Sequence, residues 1–156
     1  MAVILVTNDD GVESRYFLSL VQGLQRNGHH VIGYVPMHDQ SGRSMALTLR
    51  RNILTKSRED LVQSLDLDVN HPTPSLYSID GTPCDCVILA IDGYISHNGD
   101  PKPELCISGI NAGPNLSVDL MTLVLSLLLG RHHCMGFRLL LRVLPNMIQI
   151  LILVKQ

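Results

Sequence analysis

The hydrophobic positions of this chain fall into short runs separated by polar loops. Ala2 to Thr7 is a continuous apolar run rich in β-branched residues, the pattern of a strand covered on both faces, as in a parallel sheet. Asn8-Asp9-Asp10-Gly11 ends it. From Ser14 to Asn27 the apolar residues Phe17, Leu18, Leu20, Val21 and Leu24 recur at helical spacing, and Gly28 follows. This predicts an amphipathic helix with a glycine stop. His30 to Val35 predicts a second buried strand, halted by Pro36. Strand, helix and strand at this spacing form a right-handed crossover unit.

The same alternation continues. Met37 to Arg43 is polar and glycine-containing, hence a loop, and Ala46 to Thr55 reads as an extended arm. Ser57 to Asn70 predicts a short helix within an exposed insertion, and His71-Pro72-Thr73-Pro74 a turn-rich link. Leu76 to Ile79 predicts a short strand. Thr82-Pro83 places a capping hydroxyl before a proline at the first helical position, so a helix should run from Pro83 to Asp92. Glu104 to Ser108 predicts a further buried strand, followed by the loop Gly109-Ile110-Asn111-Ala112-Gly113-Pro114-Asn115. There is no internal repeat. The fold class expected is α/β, a Rossmann-like, doubly wound, mostly parallel sheet. Such sheets take their ligands in loops beyond the carboxyl ends of the strands.

Composition narrows the picture. The chain has 156 residues, 46% apolar and 17% charged, enough for one domain with a real core. A net charge of −2 argues against a nucleic-acid-binding surface, which is usually basic. The start, MAVILVTNDDG, carries neither the basic region nor the apolar stretch of a signal peptide. Cys84 and Cys86 are too close for an easy disulfide. With Cys106 and Cys134 they complete no zinc spacing. A reducing, cytoplasmic setting is expected.

Three polar loops carry candidate chemistry. In Asn8-Asp9-Asp10-Gly11, adjacent carboxylates at a strand end repel each other unless a cation neutralises them. Hard oxygen donors of this kind suit Mg²⁺, Mn²⁺ or Ca²⁺, although Asn, Asp and Gly are also ordinary turn residues. In Asp39-Gln40-Ser41-Gly42, Ser41 offers a hydroxyl ligand and Gly42 lets backbone approach an anion; a plain loop is the alternative. In Ser108-Gly109-Ile110-Asn111-Ala112-Gly113, Asn111 offers an amide oxygen. Each loop follows a predicted strand, so all three can meet at one sheet edge. There they would form a sparse oxygen site with positions left for water and substrate. Of the histidines, only His38 falls beside this region. A dinucleotide-binding module is disfavoured, because Asn-Asp-Asp-Gly replaces the G-x-G-x-x-G expected after the first strand.

LVTNDDGV, DQSGRSMALTL, GTPCDCV and SGINAGPNL together resemble, in order and spacing, the SurE phosphatases. The resemblance spans residues 1–119. It implies a divalent-metal phosphomonoesterase acting on nucleoside 5′- and 3′-monophosphates, with Mg or Mn as cofactor and homo-oligomers as the usual assembly. It implies metal ligation by Asp9, Asp10, Ser41 and Asn111, and catalytic roles for Asp9, Asp10 and Asn111. Asn8, Gly42 and Ser44 match positions close to the bound phosphate. The metal would bind the phosphate, and Asp9 is the candidate to start the attack. Gly81-Thr82-Pro83-Cys84-Asp85-Cys86 matches as a structural turn at a helix start.

The remaining segment, residues 120–156, departs from the family. The Ser-Gly-Thr phosphate loop expected there, at a helix N-terminus, is missing. The apolar runs are shorter than the roughly 20 residues of a membrane span, and one or two buried helices are expected on composition. A different account is a one-base frameshift near Leu123. If each codon borrows its first base from the previous residue's last, the genetic code permits TVAAAREASLHGIPSIASGSPKYDPN from Val124 onward, a string resembling the family's continuation. Residues 1–119 would then lack their remaining strands and subunit contacts. This leaves a rival to the enzyme reading: a fragment that binds metal without turnover.

Overall fold

The computed structural model describes residues 1–43, 46–91, 98–111, 137–144 and 148–155. The elements are β1 (Val3–Thr7), α1 (Arg15–Arg26), β2 (His30–Pro36), β3 (Thr55–Ser57), α2 (Glu59–Ser64), β4 (Ser75–Ile79), α3 (Pro83–Leu89), β5 (Leu105–Ser108), β6 (Phe137–Leu144) and β7 (Ile148–Lys155). The sheet order is β3-β4-β2-β1-β5-β7-β6. β1 pairs in parallel with β2 and β5, and β2 with β4; β3 joins β4 antiparallel as an edge. The expected mostly parallel α/β sheet is therefore present.

Alternation along β1 sorts the core into two layers. Ile4 and Val6 face one side, with Phe17 and Val21 of α1 and Leu61 and Val62 of α2. Leu5 faces the other, with Cys86 of α3, Ile32, Tyr34 and Cys106. Helices thus cover both faces of the sheet, the condition under which parallel strands read as unbroken apolar runs. Gly33, at the middle of β2, makes the first layer possible. A Cβ there would lie 2.7 Å from Leu76 Cδ2 and 2.9 Å from Phe17 Cζ, so the absent side chain lets α1 settle onto the sheet.

The order of strands decides where a ligand site can form. From β1 the chain winds outward through β2 to β4, then returns through α3 to β5 on the opposite side of β1. The winding direction reverses between β1 and β5. At such a switch point the loops leaving neighbouring strands diverge to opposite faces and open a crevice at the carboxyl edge.

Two expectations need adjustment. α3 is assigned as Pro83–Leu89, and the predicted end at Asp92 lies outside the described residues. Within the tail, where one or two buried helices were expected, the described residues 137–144 and 148–155 form strands: β6 and β7 pair antiparallel, and β7 pairs antiparallel with β5; residues 120–136 lie outside the described residues. The sequence FRLLLRVL, then Pro145-Asn146-Met147, then IQILILVK is two apolar runs around a turn signal. A continuous run without helical periodicity is the signature of a strand in a sheet interior.

Candidate functional site

The loop after β1 is shaped by its own side chains. Asn8 is buried, at 2% exposure. Its Nδ2 donates to the Gly11 carbonyl at 3.3 Å, and its Oδ1 accepts from the Gly11 N–H at 3.2 Å. Asn8 therefore turns inward and closes the turn, leaving Asp9 and Asp10 half-buried at the edge. Gly11 has φ +95°, and a Cβ on it would meet the His38 carbonyl carbon at 3.2 Å and the Asp39 nitrogen at 3.3 Å. Only glycine supplies both that conformation and that close approach. The exposed His38 thus meets the site loop through its backbone.

The loop after β2 is fastened to the first. The Gln40 N–H donates to the Asp9 carbonyl at 2.7 Å, and the Val12 N–H to the Pro36 carbonyl at 3.0 Å. Within this loop Asp39 Oδ1 accepts from the Ser41 N–H at 2.7 Å and from the Ser41 hydroxyl at 2.6 Å. These hydrogen bonds from Ser41, the side-chain one foremost, hold the Asp39 carboxyl below its ordinary range. Because the Ser41 proton is committed to Asp39, the hydroxyl lone pairs remain for donation elsewhere. Gly42 takes φ +76° with open space around it. Ser44 lies outside the described residues.

The third loop leaves β5. Thr7 pairs with Ser108 in the sheet, and the Gly109 N–H continues the pairing with a 2.9 Å bond to the Thr7 carbonyl. Asn111 follows, half-buried, on the far side of the switch point from Asp9 and Asp10. The sequence-predicted residues on these loops thus gather at one edge of the sheet.

Asp39 is a residue that sequence reasoning passed over. It orients Ser41, and its charge also acts on Asp9. The Asp9 carboxyl is raised above its ordinary value, mainly by burial, with the negative charge of Asp39 adding to it. An aspartate two positions before a serine in a turn is the signal that marked it.

The donor set suits a hard divalent cation: carboxylates on Asp9 and Asp10, a hydroxyl on Ser41 and an amide oxygen on Asn111. A positive ion there would offset the cost of ionising Asp9 beside Asp39. Among the described residues no group of three or more His, Cys, Asp or Glu side chains is arranged to hold a metal ion alone. A cation here would draw on the neutral oxygens of Ser41 and Asn111 as well as on the carboxylates. Cys84, Cys86 and Cys106 form no disulfide among the described residues, and burial pushes all three thiols up, away from the thiolate a soft-metal site needs.

A doubly wound sheet with oxygen donors at its switch point defines a class of α/β ligand-binding proteins. Within that class the chain belongs to the SurE family: the family model for survival protein SurE matches residues 4–123. The chain is 35% identical over 119 residues to the 5′-nucleotidase SurE of Caldanaerobacter subterraneus subsp. tengcongensis, covering 76% of this chain and 41% of the relative. It is 38% identical over 118 residues to the 5′-nucleotidase SurE of Thermosipho africanus, covering 76% and 40%. A crystal structure of the SurE protein from Aquifex aeolicus superposes with a TM-score of 0.55 at 31% identity, over 77% of this chain and 42% of that one. The chain thus spans about two-fifths of the length of the curated relatives it matches.

Proposed function

We propose that this chain is a phosphomonoesterase of the 5′-nucleotidase type, dependent on Mg²⁺ or Mn²⁺ and acting on nucleoside monophosphates or related small phosphate esters. The observation that carries this reading is that Asp9, Asp10, Ser41 and Asn111 lie on loops leaving the carboxyl ends of the adjacent strands β1, β2 and β5, with Asp9 ionised only at a cost. The relatives' name, 5′-nucleotidase, supports the substrate class. Asp9, Asp10, Ser41 and Asn111 would hold the cation, which supplies Lewis acidity toward a phosphoryl oxygen.

The chain's own residues do the rest. Asp9 is the carboxylate that would take a proton from the attacking water. Asp39 accepts the Ser41 hydroxyl proton, which would leave the hydroxyl lone pairs for a cation. Asp10 and Asn111 would hold the cation from the loops after β1 and β5, so that the phosphate meets the ion and not a bare carboxylate. By the family resemblance Gly42, whose surroundings are open, and Ser44 would serve the phosphate, and Asn8 sets the turn that presents both carboxylates.

The test is phosphate release from nucleoside monophosphates with Mg²⁺ or Mn²⁺, against the same sample in EDTA. Turnover that survives complete metal removal would overturn the metal-dependent reading. A second reading, metal binding without turnover, is favoured by one observation: the family match stops at residue 123. A soluble, folded sample that binds Mn²⁺ and releases no phosphate would establish it. The frameshift account of that boundary is tested by the coding DNA. If the alternate frame does not encode the string given above, that account is wrong.

A further inference from the structure

The Gly81-Thr82-Pro83-Cys84-Asp85 segment reads from sequence as a turn and a helix start. In the structure it does more. Thr82 and Asp85 form a reciprocal capping box: the Thr82 N–H donates to Asp85 Oδ2 at 2.8 Å, and the Asp85 N–H to Thr82 Oγ1 at 3.2 Å. The same two side chains reach across to the arm that follows the Ser41 loop. The Thr48 N–H lies 3.1 and 3.2 Å from the two Asp85 oxygens. Thr82 Oγ1 lies 2.6 Å from the Ala46 carbonyl and 3.0 Å from Asp85 Oδ2, and its single proton serves the nearer acceptor.

Three features make this a built contact. Asp85 and Thr82 are 5% and 8% exposed, so a carboxylate is held indoors where each donor counts for more than at the surface. Burial opposes its ionisation, yet the bonds from Thr48 and Thr82 outweigh that and hold its carboxyl below the ordinary range. Gly81 leaves room for it: a Cβ at Gly81 would lie 2.9 Å from Asp85 Oδ2. The arm, meanwhile, has little apolar anchorage of its own here, since Leu47 and Leu49 are 49% and 75% exposed. At its far end Arg51 pairs with Asp80. Before Ser41 the loop is tied down by the Gln40 N–H on the Asp9 carbonyl; after it, the nearest tie among the described residues to the rest of the fold is the one made by Asp85 and Thr82.

We propose that the Asp85–Thr82 clasp on Ala46 and Thr48 is a positioning device for the loop carrying Ser41 and Gly42, holding it against the sheet edge where Asp9 lies. This rests on the phosphatase reading for its consequence, but not for its structural content. Asp85 touches neither substrate nor cation; it acts through the arm.

Thr48→Pro deletes the donated N–H while leaving the capping box whole, and Thr48→Ala keeps the N–H and removes only the side chain's bond to Asp85. Asp85→Asn replaces one accepting oxygen with a donor. Hydrogen exchange and Mn²⁺ binding are followed alongside turnover. The clasp predicts faster exchange of the 41–48 amides in Thr48→Pro and Asp85→Asn, with α1 and β1 protected as before. It also predicts weakening of Mn²⁺ affinity and kcat/KM by about ten- to a hundredfold in the folded protein, the range for residues that orient metal ligands. Thr48→Ala, which keeps the N–H but loses the side chain's bond to Asp85, should fall between the wild type and Thr48→Pro in all three. Unchanged exchange in Thr48→Pro would overturn the clasp. Faster exchange with unchanged Mn²⁺ affinity and turnover would overturn its positioning role. A wild type that neither binds Mn²⁺ nor turns over would count against the phosphatase reading, and the exchange comparison would still decide whether the clasp orders the loop.

Discussion

The backbone N–H of Gln40 donates to the carbonyl of Asp9 at 2.7 Å. One bond thereby joins the loop that offers a hydroxyl to the loop that offers two carboxylates. With Gly11 seated against the backbone of His38 and Asp39, the two loops behave as one body. A disturbance of either should be felt by both.

Gly11→Ala should be costly at a distance from any ligand. It asks alanine to adopt φ +95° and to place its methyl 3.2 Å from the His38 carbonyl carbon. A loss of about 1–3 kcal/mol is expected for strain of this kind, together with a fall in metal affinity as the loops part. Thermal unfolding with and without Mn²⁺ measures both. A variant as stable and as metal-avid as the wild type would show that the loops are not coupled through this contact.

Gly33→Val separates core from site. Its methyls would meet Leu76 and Phe17, whose nearest atoms lie 2.7 and 2.9 Å from a Cβ at Gly33. Overpacking should lower stability by about 1–3 kcal/mol, read from denaturant midpoints. Turnover of the remaining folded protein should hardly change.

The pH dependence of the metal-free protein should carry the mark of Asp9. Its carboxyl in the fold is raised above the ordinary 3.8, chiefly by burial. Its protonated form is therefore the stabilised one: the contribution is full below 3.8 and is lost as pH rises through the raised value. Metal-free Asp9→Asn should then be more stable than the wild type above that window, while losing the stabilisation that Mn²⁺ gives the wild type. Unfolding curves across pH, with and without the ion, test the crossing. An Asp9→Asn variant destabilised at neutral pH without metal would contradict it.

At the other end of the sheet, Tyr77 donates its hydroxyl to Asp100 at 2.9 Å, and Ser75 donates to the same carboxylate at 2.6 Å. Burial, then this bond, pushes the phenol up from 10.0 to about 12. Stability from the protonated phenol is complete below 10.0 and is lost as pH rises through about 12. The absorbance titration of the tyrosinates should lose a late step in Tyr77→Phe and should shift it earlier in Asp100→Asn. A late step untouched by either variant would assign it elsewhere.

Much of the sheet was legible because its strands are buried on both faces: Ala2 to Thr7, His30 to Val35 and Glu104 to Ser108 each read as unbroken apolar runs, and each is a strand within a residue or two. The glycine after α1 and the Thr82-Pro83 start of α3 were legible for the same local reason, that caps depend on residues adjacent in sequence. The strands at 137–144 and 148–155 were not legible because a continuous apolar run has no period, and length alone does not separate strand from helix. The partners of Asp85 and Asp39 escaped notice for another reason. Asp85 meets Thr48 across 37 positions, and Asp39 acts on Asp9 through space. Neither pairing leaves a trace in local spacing.

The central claim is that loops after β1, β2 and β5 together hold one divalent ion. Mn²⁺ titration of the wild type, Asp9→Asn and Asn111→Ala, followed by calorimetry, tests it most directly. The account predicts saturable binding by the wild type and a marked loss in both variants, although they sit on opposite sides of the switch point. Undiminished binding in Asn111→Ala would contradict it, because the ion would then be held without the loop after β5.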